Sequence, residues 1–268
     1  MKTCIATNTI SAPAVPVALS GDFCENLRRA ARYGYQAIEI HTPDISLLDI
    51  PAVLQTMKEQ HMQVATLGTG PIFGKYGLHL CDADPPHQEL LFEKVRPFID
   101  AAAALSSRVT IGSIKGNIRP DQDRRQGMAL LGHSLRRLDQ YAQRQGVTLL
   151  LEATNRYENN VLNTARELRA FIESNHLSST LALMDVFHMN IEEADPAAAL
   201  DTIWPYLGHI HFADNNRMYP GAGCFNFAPL IEKLRHLRYD GFLSIECLPL
   251  PDSHTASERA IRFLDAIC

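Results

Sequence analysis

This sequence lacks the features of several protein classes. Its six cysteines stand singly with no Cys-x-x-Cys pair, and it has no Asn-x-Ser/Thr sequon and one tryptophan. No apolar run approaches the ~18 residues that a membrane helix needs. No Gly-x-Gly-x-x-Gly follows the first β-rich run. These absences argue against a disulfide framework, a transmembrane helix and a dinucleotide site of the Rossmann type.

The charge balance restricts the partners further. Against 25 Lys and Arg the chain has 30 Asp and Glu, a net charge of −5, whereas a nucleic-acid backbone is bound by an excess of Lys and Arg. The apolar stretch that a signal peptide needs is interrupted at Asn8, Ser11, Pro13 and Pro16. We therefore expect a cytoplasmic protein with reduced thiols and without a nucleic-acid or membrane partner.

Short β-rich runs alternate with longer helical patterns along the 268 residues. Strands are predicted at residues 2–9, 37–41, 63–67, 108–112, 147–152, 180–185, 208–213 and 242–247. Helices are predicted at residues 22–33, 46–60, 87–105, 124–145, 163–175, 196–206, 226–237 and 255–266. Eight such units without a linker predict an α/β protein, a single-domain (β/α)₈ TIM barrel over residues 1–268. A doubly wound open sheet is the alternative.

Four consecutive predicted strands each end in an ionisable residue, namely Glu152, Asp185, His211 and Glu246. In a barrel these strand ends meet at the mouth where the chemistry takes place. Three converging carboxylates repel one another unless a divalent ion compensates them. Oxygen ligands with one imidazole suit Mn²⁺, Mg²⁺ or Co²⁺, with Zn²⁺ as an alternative. The structural alternative is that the carboxylates cap helices or pair with Arg156 or Arg217.

The loops after these strands carry further polar residues. Glu158, His188 and Arg217 follow the fifth, sixth and seventh strands, and we expect them to contact a substrate. His209 lies two residues before His211 and points the same way along the strand. We expect His209 to lie deeper, packed behind the metal ligand.

Three segments carry a family resemblance. They are Glu152-Ala-Thr-Asn-Arg-Tyr-Glu158, Met184-Asp-Val-Phe-His-Met-Asn-Ile-Glu-Glu193 and His209-Ile-His-Phe-Ala-Asp-Asn-Asn-Arg217. Together they resemble the D-tagatose/D-psicose 3-epimerase family of the xylose isomerase-like barrels. The resemblance implies one divalent ion, usually Mn²⁺, held by the four strand-end groups. It also implies contacts to the sugar from Glu158, His188 and Arg217, and a dimer or tetramer.

The first half departs from the ketose enzymes. An aromatic-rich first strand and a Trp-containing fourth loop are missing. The segment Ile111-Gly-Ser-Ile-Lys-Gly116 instead resembles the Ile-Gly-x-x-Arg-Gly of keto-sugar-acid epimerases. This implies a sugar acid or a ketose phosphate as an alternative to a free ketose, with Lys115 pairing with the substrate's anion. A surface position for Lys115 is the other interpretation.

The activity implied is metal-dependent inversion of the carbon beside a ketone, C3 of a ketose, through an enediolate. We expect Glu152 and Glu246 to act as acid and base on opposite faces of that carbon. The Gly- and Pro-rich residues 69–86 are expected to form a lid that excludes water. The alternatives are an aldose–ketose isomerase on the same metal site, an endonuclease of the same superfamily and a non-catalytic sugar-binding barrel.

Overall fold

In the part of the chain that the structure describes, nine parallel strands form one sheet, which closes on itself through pairing of a strand near the amino terminus with one near the carboxyl terminus. The computed structural model describes residues 1–9 and 15–268, so Ser11 and Pro13 lie outside the described residues. The strands are β1 (Lys2–Asn8), β2 (Leu19–Ser20), β3 (Ala37–His41), β4 (Gln63–Gly68), β5 (Arg108–Ile111), β6 (Leu149–Ala153), β7 (Thr180–Asp185), β8 (Leu207–Phe212) and β9 (Phe242–Ile245).

Eight of these strands form the barrel, and β2 is an addition to it. Lys2–Ile5 of β1 pair with Phe242–Ile245 of β9, which closes the barrel. The two residues of β2 pair with Thr7 and Asn8 at the end of β1. The predicted single-domain (β/α)₈ barrel is therefore confirmed, and each of the eight predicted strands is present within two residues of its predicted ends.

Helices surround the barrel. They are α1 (Phe23–Tyr33), α2 (Ile50–Gln60), α3 (Gly70–Tyr76), α4 (Pro85–Leu105), α5 (Arg124–Gln145), α6 (Ala165–Ser174), α7 (Val186–Glu192), α8 (Pro196–Ile203), α9 (Ala228–His236) and α10 (Ser253–Ile267). Within the described part of the chain, no helix is long and apolar enough to cross a bilayer. The barrel strands are almost entirely buried, including all five residues of β6, as expected for parallel strands covered by helices.

Two short helices replace segments that the sequence suggested were loops. Residues 186–192 form α7, because the Asp185 side chain accepts a hydrogen bond from the Phe187 amide (2.8 Å) and caps the first turn. Residues 70–76 form α3, with Pro71 in the first turn and Gly77 in the left-handed conformation (φ 69°) after the last one. His188 is therefore held on a helix rather than on a loop.

Candidate metal and sugar site

A cavity of about 480 Å³ opens at the carboxyl ends of the strands. Its lining includes five residues that the sequence predicted for the site: Glu152, Glu158, His188, Arg217 and Glu246. The other two predicted metal ligands, Asp185 and His211, are fully buried and contact these residues. Four residues of the 69–86 segment (Gly70, Pro71, Gly74 and Lys75) also border the cavity. The closure of this segment over a substrate stays a prediction.

The four predicted metal ligands come together around one imidazole nitrogen. Nδ1 of His211 lies 3.4 Å from Oε2 of Glu246, 3.7 Å from Oε1 of Glu152 and 3.9 Å from Oδ2 of Asp185. Ligand atoms bound to one ion at about 2.1 Å stand roughly 3 to 3.5 Å apart. The observed spacings are close to these values, and the oxygen-rich donor set suits a hard divalent ion.

His211 is oriented so that a ring nitrogen faces the carboxylates. Nε2 of His211 is 3.2 Å from Glu39 on the opposite side of the ring, whereas the buried Nδ1 has no hydrogen-bond partner among the described residues. Burial alone would lower the pKa of His211, but the charges of Glu39 and Glu246 outweigh this effect and raise that pKa well above its usual value. The site thus concentrates negative charge where a cation would be held.

Both glutamates of this set, Glu152 and Glu246, have a lowered pKa. Burial opposes ionisation of Glu246, but the charges of His211 and Arg217 hold its pKa well below the usual range. Glu152 is buried as well, which opposes its ionisation, but the nearby His211 and His188 together outweigh burial and lower its pKa. Gly112 leaves the space that the Glu152 carboxylate needs, since a β-carbon at position 112 would overlap Oε2. Both carboxylates are therefore held ionised at the cavity wall.

Asn155 connects the two candidate sugar contacts, His188 and Glu158. The amide oxygen of Asn155 accepts from the Tyr157 amide (2.9 Å), which fixes the orientation of the side chain. Its nitrogen then donates to Nδ1 of His188 (2.7 Å) and to Oε1 of Glu158 (3.0 Å). Neutral His188 must consequently carry its proton on Nε2, which faces Glu152 (3.7 Å) and Asp185 (3.8 Å).

Arg217 bonds two of the predicted metal ligands. Its Nη1 donates to Oδ2 of Asp185 (2.6 Å) and its Nη2 donates to Oε2 of Glu246. The guanidinium also lies 4.6 Å from the centre of the Phe187 ring. Burial would lower the pKa of Arg217, but Asp185 and Glu246 raise it above its usual value. Arg217 is thus both the predicted cavity residue and the arginine partner that the structural alternative required.

Lys115 does not lie where either interpretation of it requires. It is fully buried, so the surface interpretation is wrong. Its ammonium donates to the backbone carbonyl of Glu152 and to Oγ1 of Thr154 (3.1 Å), and it is not among the residues that border the cavity. Burial lowers its pKa to about 8. Lys115 is the last residue of the short 3₁₀ helix Ser113–Lys115, and its side chain runs to the end of β6 rather than into the cavity.

Sequence reasoning missed three supporting residues: Glu39, Asn155 and Gly112. A signal for Glu39 was available, because a glutamate between Ile38 and Ile40 in a buried strand needs a partner. Asn155 was visible as part of a polar segment but not as the residue that orients His188. Nothing in the local pattern indicated that the space beside Gly112 is filled by a carboxylate.

Residues 27–267 match the family model described as xylose isomerase-like TIM barrel. The chain belongs to this family. It is 41% identical over 117 residues to 3-dehydro-D-guloside 4-epimerase of Escherichia coli (strain K12), an alignment that covers 44% of this chain and 45% of that enzyme. It is 29% identical over 220 residues to L-ribulose 3-epimerase of Methylomonas sp. (strain DH-1), covering 81% of this chain and 75% of that enzyme.

Solved structures of sugar epimerases match the chain over nearly its whole length. The apo crystal structure of 3-keto-D-glucoside 4-epimerase from E. coli matches with a TM-score of 0.85 at 26% identity, covering 99% of this chain and 100% of that one. D-allulose 3-epimerase from Methylomonas sp., in complex with D-allulose, matches at 0.84 and 25% identity, covering 100% and 98%. The predicted resemblance and the prediction of an isomerase-class carbohydrate epimerase are confirmed at this level.

Proposed function

We propose that this protein inverts the configuration of a sugar carbon that lies beside a ketone, in a metal-dependent reaction. The observation that carries the proposal is the pair of carboxylates Glu152 and Glu246. Both border the cavity, and both lie within 4 Å of the same imidazole nitrogen of His211. Two ionised carboxylates that flank one point can serve opposite faces of one carbon.

Glu152, Asp185, His211 and Glu246 are the residues that would hold the divalent ion, for which Mn²⁺ is the first candidate. Such an ion, when bound, acts as a Lewis acid that stabilises negative charge on an oxygen of the substrate. Two observations support this set of ligands: Nδ1 of His211 has no hydrogen-bond partner in the described part of the chain, and the three carboxylates lie close to it. Mg²⁺, Co²⁺ and Zn²⁺ are the other ions to test.

Inversion requires one ionised carboxylate to remove the proton from one face, and the other glutamate, after taking up a proton from solvent, to donate it to the opposite face. With Glu152 as the base, Glu246 is the acid, and the roles exchange in the reverse direction. Glu158 and the Nε2–H of His188 lie beside this pair and offer an acceptor and a donor to the oxygens next to the reacting carbon. They would hold the intermediate in a fixed position and so oppose proton transfer to the neighbouring carbon.

The cavity favours a neutral sugar over a sugar acid or a phosphate. Among its described lining residues the side chains with a permanent positive charge are Lys75, which is exposed, and Arg217, which is already bonded to Asp185 and Glu246. Lys115 does not border it. The five residues that the structure does not describe, 10–14, are uncharged in the sequence. An anionic substrate would therefore find little to compensate its charge.

A 3-keto glycoside inverted at C4 is a second candidate beside a free ketose inverted at C3. The E. coli relative that is 41% identical over its aligned part bears the name of a 3-dehydro-guloside 4-epimerase. The cavity volume of about 480 Å³ lies in the range of sites that hold ligands larger than one sugar ring, roughly 300–1,000 Å³. In both reactions the inverted carbon is adjacent to the carbonyl, so the same two glutamates serve.

The proposal is tested by NMR in D₂O with Mn²⁺ and with an EDTA control. The panel contains free ketoses, 3-keto glycosides, ketose phosphates and keto-sugar acids. Metal-dependent deuterium at the carbon beside the ketone, with inversion there, is the expected result. Deuterium at C1 or C2 with formation of an aldose would instead assign the isomerase alternative. Absence of exchange across the panel would overturn the proposal for these substrate classes.

Two further expectations accompany the proposal. The homo-oligomer, a dimer or tetramer, stays a prediction that light scattering on the purified chain can check. The cytoplasmic location also stays a prediction, to be tested by fractionation of the native cells.

A further inference from the structure

One buried carboxylate contacts three histidines beneath the metal site. Glu39 lies in β3 and has no exposed surface. Its Oε1 is 2.8 Å from Nε2 of His209, and its Oε2 is 3.2 Å from Nε2 of His211 and 3.3 Å from Nε2 of His41. An isolated buried carboxylate is costly, and these three imidazole donors provide the compensation that it requires.

The spacing indicates a hydrogen-bonded cluster rather than a second metal site. Glu39, His209 and His211 have donor atoms close enough to be considered as metal ligands. However, the 2.8 Å between Glu39 and His209 is a normal N–H···O distance, shorter than the roughly 3 to 3.5 Å between atoms that share one ion. Nδ1 of His211, which faces the other three ligands, is the nitrogen left without a hydrogen-bond partner among the described residues.

The contact with Glu39 decides which ring nitrogen of His211 is available to bind a metal ion. A carboxylate can only accept, so Nε2 of His211 must donate to it. The lone pair of the neutral ring then lies on Nδ1, which points at Glu152, Asp185 and Glu246. A carboxylate behind a ligating histidine fixes the ring's tautomer and orientation and increases its basicity.

We propose that Glu39 is a positioning residue that presents Nδ1 of His211 to the divalent ion. This inference rests on the proposed function, because it takes His211 as a metal ligand. Glu39 does not border the cavity, so it acts through His211 and not on the sugar. His209 secures the other oxygen of the carboxylate and thereby holds Glu39 in the required orientation.

The test is a calorimetric titration of the EDTA-stripped chain with Mn²⁺ alone, so that no substrate is involved. Glu39→Gln preserves the size of the side chain but places an amide opposite the imidazole donors. We expect Mn²⁺ affinity to fall about 10- to 100-fold. We also expect a changed visible absorption spectrum with Co²⁺, because the imidazole no longer enters the coordination sphere in the same orientation.

His209→Gln is the matched control. It retains a donor for Glu39 and leaves the Glu39–His211 contact in place, so Mn²⁺ affinity should change less than threefold. Equal weakening in both variants would assign Glu39 a packing role and overturn the inference. If Glu39→Gln does not fold, Glu39→Asp tests the positioning role instead, because it keeps the charge but shortens the side chain by one methylene. Its Mn²⁺ affinity should fall, but by less than about 100-fold, and an unchanged affinity and Co²⁺ spectrum would overturn the inference.

The same titration distinguishes failure of the proposed metal site from failure of the positioning role of Glu39. If the parent chain binds no divalent ion, the proposed metal site itself is wrong, and the inference about Glu39 is wrong with it. If the parent binds Mn²⁺ and Glu39→Gln binds it equally well, only the positioning role is overturned.

Discussion

The guanidinium of Arg217 bridges Asp185 and Glu246, donating to Oδ2 of Asp185 over 2.6 Å and to Oε2 of Glu246. Asp185 is the last residue of β7, Glu246 directly follows β9, and both carboxylates lie beside His211. Arg217 itself adopts a left-handed backbone conformation (φ 63°), which is uncommon outside glycine and brings the side chain back over the barrel mouth. One residue thus compensates charge at the site where a divalent ion is proposed to bind.

Arg217→Gln should destabilise the chain most when divalent ions are removed. Breaking a buried ion pair by removing one partner costs about 3–5 kcal/mol, because the carboxylates lose their cation. A bound divalent ion supplies the missing positive charge, so the loss should be smaller with Mn²⁺ than with EDTA. Thermal unfolding under both conditions measures this difference.

The matched control is Arg156→Gln, which removes a similar two-pronged pair with Glu192 on an arginine that is 60% exposed. We expect little change in either condition. Equal destabilisation of Arg217→Gln with and without Mn²⁺ would contradict the view that arginine and ion compensate the same carboxylates.

Glu152→Gln and Glu246→Gln should each abolish inversion while allowing exchange to persist. A positioned acid or base contributes roughly 10²- to 10⁴-fold, and inversion needs both, so the inversion rate should fall by at least that factor. The remaining carboxylate can still remove and return a proton on its own face. Each variant should therefore incorporate deuterium from D₂O into one epimer without inverting it, and the two variants should prefer opposite epimers.

The measurement is NMR at saturating Mn²⁺, since both residues are also proposed ligands. Glu232→Gln on the exposed surface of α9 serves as the control and should retain full activity. Full inversion in either active-site variant would remove that glutamate from the proton-transfer pair.

The strand-end residues could be predicted because the barrel dictates where strand ends meet. Glu152, Asp185, His211 and Glu246 are far apart in the chain, yet one topological rule brings them together. His209 behind His211 followed from the period of two along a strand. Such relationships depend on backbone geometry that regular structure fixes.

The direction of Lys115 and the role of Asn155 could not be obtained in this way. Lys115 leaves a 3₁₀ turn between β5 and α5, where periodicity gives no information about the side chain. Asn155 acts through hydrogen bonds to His188 on α7 and to Glu158, and Asn155 and Glu158 themselves lie in the irregular segment between β6 and α6. Irregular segments carry these contacts, and their geometry comes from tertiary packing.

Gly112→Ala should impair the site although no charged residue is replaced. The added β-carbon would overlap Oε2 of Glu152, so the carboxylate must move. A displacement of about 1 Å at a catalytic group can cost on the order of 100-fold in rate, and Mn²⁺ affinity should fall as well. Gly74→Ala is the matched control, because Gly74 also borders the cavity but has no atom within 4 Å of an added β-carbon. Activity and Mn²⁺ affinity should both be lower in Gly112→Ala than in Gly74→Ala. Equal effects of the two substitutions would show that the overlap with Glu152 is not the cause.

Lys115 should give the chain a characteristic dependence of stability on pH. Burial lowers its pKa to about 8 in the folded chain, against about 10.4 for an unfolded lysine. Below pH 8 the folded state bears the full cost of a buried charge, and between the two values the unfolded state binds more protons. The contribution of Lys115 to the free energy of unfolding therefore rises with pH, by about 2 kcal/mol between pH 7.5 and 10.

Lys115→Met keeps the length of the side chain and removes the titrating group. The free energy of unfolding of the variant, relative to that of the parent, should be higher at pH 7.5 than at pH 10. The reason is that the parent gains stability over that interval and the variant does not. Urea unfolding at the two pH values measures the difference. Lys58→Met on the exposed face of α2 is the control and should show no such change, since Lys58 is solvent-exposed. A parent–variant difference that stays constant from pH 7.5 to 10 would show that Lys115 does not titrate as a buried amine.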